Sequence, residues 1–146
     1  MSDIRSLSAA HIPSVAAMYR TMLERRGAPA PAALEDYLRR LFLDGPMAGR
    51  ETPSRVTWWR SRAIVYCFVI GFIGSISQNF TYQGSTLRAA VAASLMVRDH
   101  EHDPLAGVRL MKAFLSGPQD VSLTESAGGP SLAIWRQLGG VLMEDH

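Results

Sequence analysis

The sequence predicts a single α/β (α+β mixed) domain in which a central, mostly antiparallel, twisted sheet is flanked by helices. The length of 146 residues is enough for one hydrophobic core but not for two. Two stretches of helical periodicity come first, a β pattern follows from Val56 to Val97, and helix and strand then alternate. Apolar residues make up 47% of the chain and charged residues 19%, which is typical of a compact folded protein rather than a disordered one.

The N-terminal third predicts one strand and two helices. "DIRSL" is expected to form a short first strand, with Ser8 as the cap and Pro13 in the first turn of the helix that follows. The apolar positions of that helix are Ile12, Val15, Ala16, Tyr19, Met22 and Leu23, and Gly27 is expected to end it. Residues 28–33 are expected to form a stiff connection. A second apolar face comprises Leu34, Tyr37, Leu38, Leu41 and Phe42. "DGP" at 44–46 ends that helix, and residues 47–54 are expected to form a loop.

The middle of the chain predicts a β-meander. "VTWW", "AIVYCFVIGFIGSI" and "LRAAVAASLMV" are rich in β-branched and aromatic residues or alternate in polarity. The segment Tyr82-Gln83-Gly84-Ser85 between the last two has the composition of a hairpin turn. After Val97 we expect a helix over 105–115, a strand at "DVSLT", a helix over 130–138, and "GGVLM" entering a last strand.

Composition argues against several classes of protein. The net charge is +2 and the arginines are scattered, so a nucleic-acid-binding surface is not expected. A single cysteine, Cys67, excludes an internal disulfide and fits a cytoplasmic protein, and its apolar neighbours predict a core position. The N-terminus does not resemble a signal peptide. The longest apolar stretch, Ala63–Ile76, is shorter than the roughly 20 residues of a membrane span, although anchoring by residues 58–76 remains an alternative.

The segment "RDHEHDPLAGVRL", residues 98–110, is the candidate functional loop. It falls between a predicted strand and a predicted helix, where free N–H groups and the helix dipole favour a pyrophosphate. Ala106 and Gly107 are small enough to let a ligand approach the backbone. His100 and His102 could instead bind a metal ion, but further ligands have no obvious source. A solvated polar connection is the third interpretation.

The segment from Leu87 to Gly140 resembles the acyl-coenzyme A binding half of the GNAT family of N-acyltransferases. In that family a strand ends in an L-x-V pattern, and a phosphate loop leads into a helix that opens with small residues. Here Leu95-Met96-Val97 match the strand end and Leu105-Ala106-Gly107 the junction of loop and helix. Val121 to Thr124 match the next strand, and "WRQLGG" matches the end of the last helix. The predicted strand, two helices and meander also fit, so residues 1–146 resemble one GNAT-like acyl-CoA-binding domain that is short at its C-terminus and lacks the last strand.

The resemblance implies transfer of an acyl group from acetyl-CoA to a small-molecule or peptide amine, with no metal. A backbone N–H near Met96 or Val97 would polarise the thioester carbonyl. The residues that it places at the acyl-CoA are Leu95, Met96, Val97, Asp103, Pro104, Leu105, Ala106, Gly107 and Val108. No catalytic side chain is assigned, and Glu125, Asp99 and Glu101 are candidate bases. The open sheet edge predicts a homodimer or pairing with a second GNAT-like domain.

Four positions depart from the family pattern. Glu101 stands at a usually basic position and Pro104 at a usual glycine, changes that repel a diphosphate and remove one N–H donor. Gly128 replaces a frequent asparagine, and Trp135 replaces a frequent tyrosine that protonates the departing thiolate. Trp135 is also spaced with Leu132 and Leu138 for packing, and Glu125 and Ser126 are expected to begin and cap the last helix. The alternative function is therefore a catalytically inactive GNAT-like acyl-CoA-binding or interaction domain.

Overall fold

The structure is a computed structural model that describes residues 2–23, 31–60, 67–98, 101, 103–125 and 127–143. Within these ranges it is a three-layer arrangement with one sheet between two helical layers. The expectations for Gly27, for residues 28–30 and for residues 61–66 lie outside the described residues.

The sheet has five described strands in the order of the sequence. They are β1 (Ser2–Ser6), β2 (Arg55–Arg60), β3 (Cys67–Tyr82), β4 (Ser85–Val97) and β5 (Val121–Leu123). The first four pair antiparallel, whereas β5 pairs parallel with β4. The prediction of a mixed α/β fold with a mostly antiparallel sheet is confirmed.

The hairpin between β3 and β4 forms where the sequence predicts it. Gln83 has φ 49° and Gly84 φ 77°, so both central residues adopt positive φ. A two-residue turn of this kind matches the right-handed twist of the strands that it joins. It fixes the register in which Tyr82 pairs with Ser85, and thereby places the rest of β4.

Within the described ranges, four helices cover the sheet: α1 (Ile12–Leu23), α2 (Pro31–Arg39), α3 (Ala106–Leu115) and α4 (Gly129–Gln137). A 3₁₀ turn, Ala9–His11, precedes α1, and a π-helical turn, Arg40–Asp44, extends α2. The expected loop over 28–33 is wrong for residues 31–33, which begin α2, because proline is tolerated in the first turn of a helix. The predicted end at "DGP" and the loop over 47–54 are confirmed.

Two hydrophobic clusters lie on opposite faces of the sheet. The first joins α1 and α2 to the sheet through residues such as Val15, Leu38 and Phe72. The second joins α3 and α4 to the other face through residues such as Leu110 and Phe114. Along β4, Ala90 and Ala92 face the second cluster while Met96 faces the first, so β4 contributes to both.

The prediction of a strand at "GGVLM" is wrong. Residues 140–143 are irregular, and Val141 and Met143 are each 88% exposed. A strand needs a hydrogen-bonded neighbour, and no described strand pairs with this segment.

The apolar stretch that suggested a membrane anchor forms β3 from Cys67 onward. Among the residues that the structure describes, no helix is long and apolar enough to cross a membrane.

Candidate functional site

A β-bulge changes the direction of the side chains at the end of β4. Gly74 pairs with Ser94 and Ser75 with Ala92, so Ala93 is an extra residue on β4. As a result Ala93 packs on the cluster of α1 and α2, and the hydroxyl of Ser94 meets that of Tyr19 in α1 at 2.6 Å.

The backbone of β4 beyond the bulge presents polar groups away from β3. The N–H of Arg98 donates to the carbonyl oxygen of Ile70 in β3, at 2.6 Å. Because successive residues of a strand direct their N–H and C=O groups to opposite sides, those of Val97 point away from β3. The same alternation applies to Leu95. These backbone groups face the side on which β5 lies.

Strands β4 and β5 separate after a short parallel ladder. Only Ala89–Val91 pair with Val121–Leu123, and the hydroxyl of Thr124 then donates to the carbonyl oxygen of Ala92 at 3.1 Å. Beyond this point a cavity of about 260 Å³ lies between the two strands. We call this cavity the cleft, and it is lined by Met22, Ala92, Ser94, Leu95, Met96, Met111, Thr124, Ala127, Ser131 and Trp135.

The cleft receives side chains from both faces of the sheet. Met22 belongs to α1 on one face, whereas Met111 in α3 and Trp135 in α4 belong to the other. The ring of Trp135 packs against Phe114 in a T-shaped contact with a centroid distance of 6.3 Å, which confirms its expected packing role. A ligand in the cleft is therefore accessible to groups from both helical layers.

The described lining of the cleft is uncharged and mostly apolar, with three hydroxyl groups. The Thr124 hydroxyl donates to Ala92, and the Ser131 hydroxyl donates to the carbonyl oxygen of Gly128 at 2.9 Å. The Ser94 hydroxyl accepts from Tyr19. Such a lining suits a neutral, extended ligand rather than an ionic one.

Tyr19 remains a proton donor because of its surroundings. Burial raises the pKa of the Tyr19 phenol, which outweighs the opposing effect of its hydrogen bond to Ser94. The nearby Tyr37 adds to the upward shift of this pKa. A phenol of ordinary pKa is already neutral at physiological pH, so Tyr19 with its raised pKa stays protonated and donates to Ser94.

Asp103 organises the N-terminus of α3. Its carboxylate is 8% exposed, accepts the N–H of Leu105 at 3.3 Å and forms an ion pair with Arg109. Its carbonyl oxygen accepts the N–H of Ala106 at 3.2 Å. A carboxylate here stabilises the positive end of the helix dipole. Among the described residues, no acceptor outside the helix is found for the first-turn N–H groups of Gly107 and Val108, which also lack an intrahelical partner.

Gly107 permits close packing of α3. A Cβ added to it would lie 3.3 Å from Cδ1 of Ile134 in α4 and 3.5 Å from Cγ2 of Val97. The missing side chain therefore points toward the end of β4 and toward α4. Gly107 was expected to be small in order to admit a ligand. Its position against Ile134 and Val97 shows that helix packing also limits the size of a side chain here.

The structure places the predicted acyl-CoA residues at two neighbouring positions. Leu95 and Met96 line the cleft, and Val97 ends β4 beside Gly107. Ala106, Gly107 and Val108 open α3, preceded by Asp103 and by the exposed Pro104 and Leu105. Sequence reasoning missed Tyr19, Ser94, Met22, Met111, Thr124 and Ser131 as cleft residues.

The remaining candidates from the sequence are the possible bases, the possible metal ligands and the residues expected to begin the last helix. Asp99, His100, His102 and Ser126 lie outside the described residues. Glu101 and Glu125 are exposed. The last helix, predicted over 130–138, starts at Gly129. Its N-cap is Gly128, whose N–H donates to the Ser131 hydroxyl at 3.2 Å, so the prediction that Glu125 and Ser126 begin and cap it is wrong. No group of three metal-binding side chains is found in the described ranges.

Comparison with known proteins adds a structural result. No family model and no curated protein matches the sequence. Solved structures do match: a transcriptional regulator from Bacillus halodurans C-125 is 13% identical with a TM-score of 0.71, covering 100% of this chain and 97% of that one. An aminoglycoside N-acetyltransferase, AAC(6′)-Iy, in complex with CoA is 12% identical with a TM-score of 0.69, covering 100% and 91%. A ribosomal-protein-alanine N-acetyltransferase from Brucella melitensis biovar Abortus 2308 is 13% identical with a TM-score of 0.62, covering 100% and 96%.

These similarities extend over the whole chain, and acetyltransferases recur among the matched structures. The sheet order, the bulge in β4 and the separation of β4 from β5 are the features that build the cleft within this architecture. The chain has the fold of the GNAT acetyltransferases.

Proposed function

We propose that this protein is an N-acyltransferase that moves an acyl group from an acyl-CoA, with acetyl-CoA as the first candidate, to an amine. The observation that carries the proposal is the uncharged cleft that includes Leu95 and Met96 of β4, a strand whose last residue, Val97, lies beside Gly107 at the start of α3. An extended neutral arm ending in a thioester fits such a cleft, and a diphosphate fits first-turn N–H groups. The CoA complex of a protein with the same fold supports this choice of ligand.

The backbone of β4 would act on the thioester. The N–H of Leu95, which points away from β3 and belongs to a residue of the cleft lining, would donate to the thioester oxygen and stabilise the negative charge that develops there. Of the two residues that the resemblance implies for this role, Met96 directs its backbone groups toward β3, and Val97 lies outside the cleft lining, beside Gly107 at the start of α3.

The start of α3 would hold the diphosphate. Residues Asp103 to Val108 surround the helix N-terminus, where Gly107 and Val108 supply N–H donors. The Asp103 carboxylate opposes an anion, but its ion pair with Arg109 offsets that charge. We therefore expect the diphosphate to bind with modest affinity.

One observation favours the alternative of a binding domain without catalysis. Trp135, at the position where the family often has a tyrosine, is a hydrogen-bond donor that cannot serve as an acid. In that case the protein binds acyl-CoA without turning it over.

Two measurements separate these functions. Thermal shift with CoA, against adenosine 3′-phosphate 5′-diphosphate as the control, tests whether the cleft contributes beyond the diphosphate site. Release of free CoA from acetyl-CoA is then followed with aminoglycosides and with peptides that begin with alanine as acceptors, chosen from the substrates named for matched structures. Stabilisation by CoA together with turnover supports acyl transfer, and stabilisation alone supports the binding domain. The absence of both stabilisation and turnover refutes both functions. A single cysteine and acetyl-CoA as donor fit a cytoplasmic location.

A further inference from the structure

The hydrogen bond between Tyr19 and Ser94 joins two residues that are 75 positions apart in sequence and lies at the wall of the cleft. Tyr19 comes from α1, and Ser94 comes from the bulged part of β4. In the part of the chain that the structure describes, this is the single hydrogen bond of the Ser94 side chain. The pair is therefore positioned by tertiary structure next to the groups that would hold a thioester.

The direction of this bond determines where the proton of Ser94 points. A serine hydroxyl has one proton to donate and two lone pairs to accept with. Tyr19 donates to one lone pair at 2.6 Å, so the Ser94 proton and its second lone pair are directed elsewhere. Since Ser94 lines the cleft, both are available to a ligand in it.

The other hydroxyl groups of the described cleft are already committed. The Thr124 proton is donated to the carbonyl oxygen of Ala92, and the Ser131 proton to that of Gly128. The indole of Trp135 cannot release its proton to a thiolate under ordinary conditions. Among the described lining residues, Ser94 is thus the side chain best placed to exchange a proton with the reacting groups.

We propose that Ser94 is a catalytic residue that relays a proton from the attacking amine to the departing sulfur, and that Tyr19 is its positioning residue. This inference rests on the proposed acyl transfer. The amine nitrogen forms a bond to the thioester carbon, and the carbon–sulfur bond breaks with its electron pair remaining on sulfur. The Ser94 proton passes to the sulfur while Ser94 Oγ accepts the proton that the nitrogen loses. The products are an amide and the free thiol, and the hydroxyls of Ser94 and Tyr19 are both protonated again at the end of the step.

The Tyr19 hydroxyl does not exchange its proton in this scheme. Burial keeps it neutral, and it fixes the rotation of the Ser94 side chain. Removing its hydroxyl leaves Ser94 in the cleft but with a proton free to rotate. Loss of one positioning hydrogen bond should therefore be milder than loss of Ser94 itself.

The test uses the full chain with acetyl-CoA and the best acceptor from the panel described above. Ser94→Ala should lower kcat by roughly 100-fold or more, in the range found for loss of a general acid or base, with KM for acetyl-CoA changed less than about threefold. Ser94→Thr, which retains a hydroxyl on a strand, should recover kcat to within about tenfold of the parent. Tyr19→Phe should lower kcat by about three- to tenfold with KM again unchanged.

Matched controls remove the same groups elsewhere. Tyr82→Phe deletes a phenol hydroxyl from a residue that is 62% exposed at the end of β3, and Ser77→Ala deletes a serine hydroxyl from β3 outside the cleft. Both should keep kcat within about twofold. Thermal melting and the thermal shift with CoA show whether each variant is folded and binds.

The possible outcomes are distinct. A folded Ser94→Ala variant that binds CoA and keeps the parent kcat overturns the relay while leaving acyl transfer intact. A low kcat in both Ser94→Ala and Ser94→Thr also counts against the relay, since restoring a hydroxyl at position 94 then does not restore activity. If Ser94→Ala does not fold, equal kcat values for Tyr19→Phe and Tyr82→Phe overturn the positioning role. A parent that binds CoA but releases none from acetyl-CoA refutes acyl transfer and the relay together.

Discussion

Substitution of Gly107 tests whether its missing side chain serves helix packing or ligand access. In Gly107→Ala the new Cβ would lie 3.3 Å from Ile134 Cδ1, so that methyl group must move by a few tenths of an ångström. Ile134 is only partly buried, which makes this movement inexpensive. Replacing glycine by alanine in a helix is worth up to about 1 kcal/mol, so the free energy of unfolding should change by less than about 1 kcal/mol.

Gly107→Val adds two further methyl groups between α3, α4 and the end of β4. Overpacking of this kind costs about 1–3 kcal/mol. At about 2–4 °C per kcal/mol for a domain of this size, the melting temperature should fall by roughly 2–12 °C. Gly128→Ala is the control, because a Cβ there meets nothing within 4 Å. Its melting temperature should stay within about 4 °C of the parent's.

The assay combines thermal melting with titration of CoA by calorimetry. Because alanine keeps the backbone N–H, Gly107→Ala should bind CoA within about threefold of the parent. Gly107→Val should lose both stability and affinity. If Gly107→Ala loses CoA binding at an unchanged melting temperature, the packing argument is refuted. Glycine would then be needed at this position to let the ligand approach the backbone.

Three further results are expected. Phe114→Ala should lower the free energy of unfolding by about 3–5 kcal/mol in denaturant melts, because Phe114 is fully buried and supports Trp135; a cost below about 1 kcal/mol would contradict this packing. Hydrogen bonds from Arg88 lower the pKa of Asp120, the one from the backbone N–H having the larger effect and the one from the side chain the smaller. The contribution of Asp120 to stability is therefore present above the ordinary carboxyl pKa and is lost as pH falls through the lowered pKa. Asp120→Asn should therefore show a shallower loss of melting temperature on acidification, and identical acid profiles would exclude this role. The outer edge of β5 has no neighbour among the described strands, so sedimentation should show dimers, and a monomer at high concentration would count against edge pairing.

Local patterns in the sequence predict most of the secondary structure. The alternation and β-branched content of residues 67–97 and the Gln83-Gly84 turn are encoded by neighbouring residues, because strand and turn geometry depends on nearest neighbours in sequence. The same holds for the apolar face of α1 and for the helix that follows Val97. The acyl-CoA residues Leu95 to Val97 and Asp103 to Val108 were found through a resemblance to a family, and their role remains a prediction.

The cleft itself was decided by tertiary structure. The bulge at Ala93 gives β4 one more residue than β3 at this point of the ladder, and no local pattern in β4 marks it. Tyr19 looks like one more apolar position of α1, and Ser94 looks like an ordinary strand residue. Their contact depends on how α1 packs across the sheet. Likewise, "GGVLM" has the composition of a strand but lacks a partner in the described fold. The sequence by itself determined which segments are helical or extended, because those preferences are local. The tertiary structure decided where β4 and β5 separate and which hydroxyls line the cleft, because both depend on pairings between distant residues.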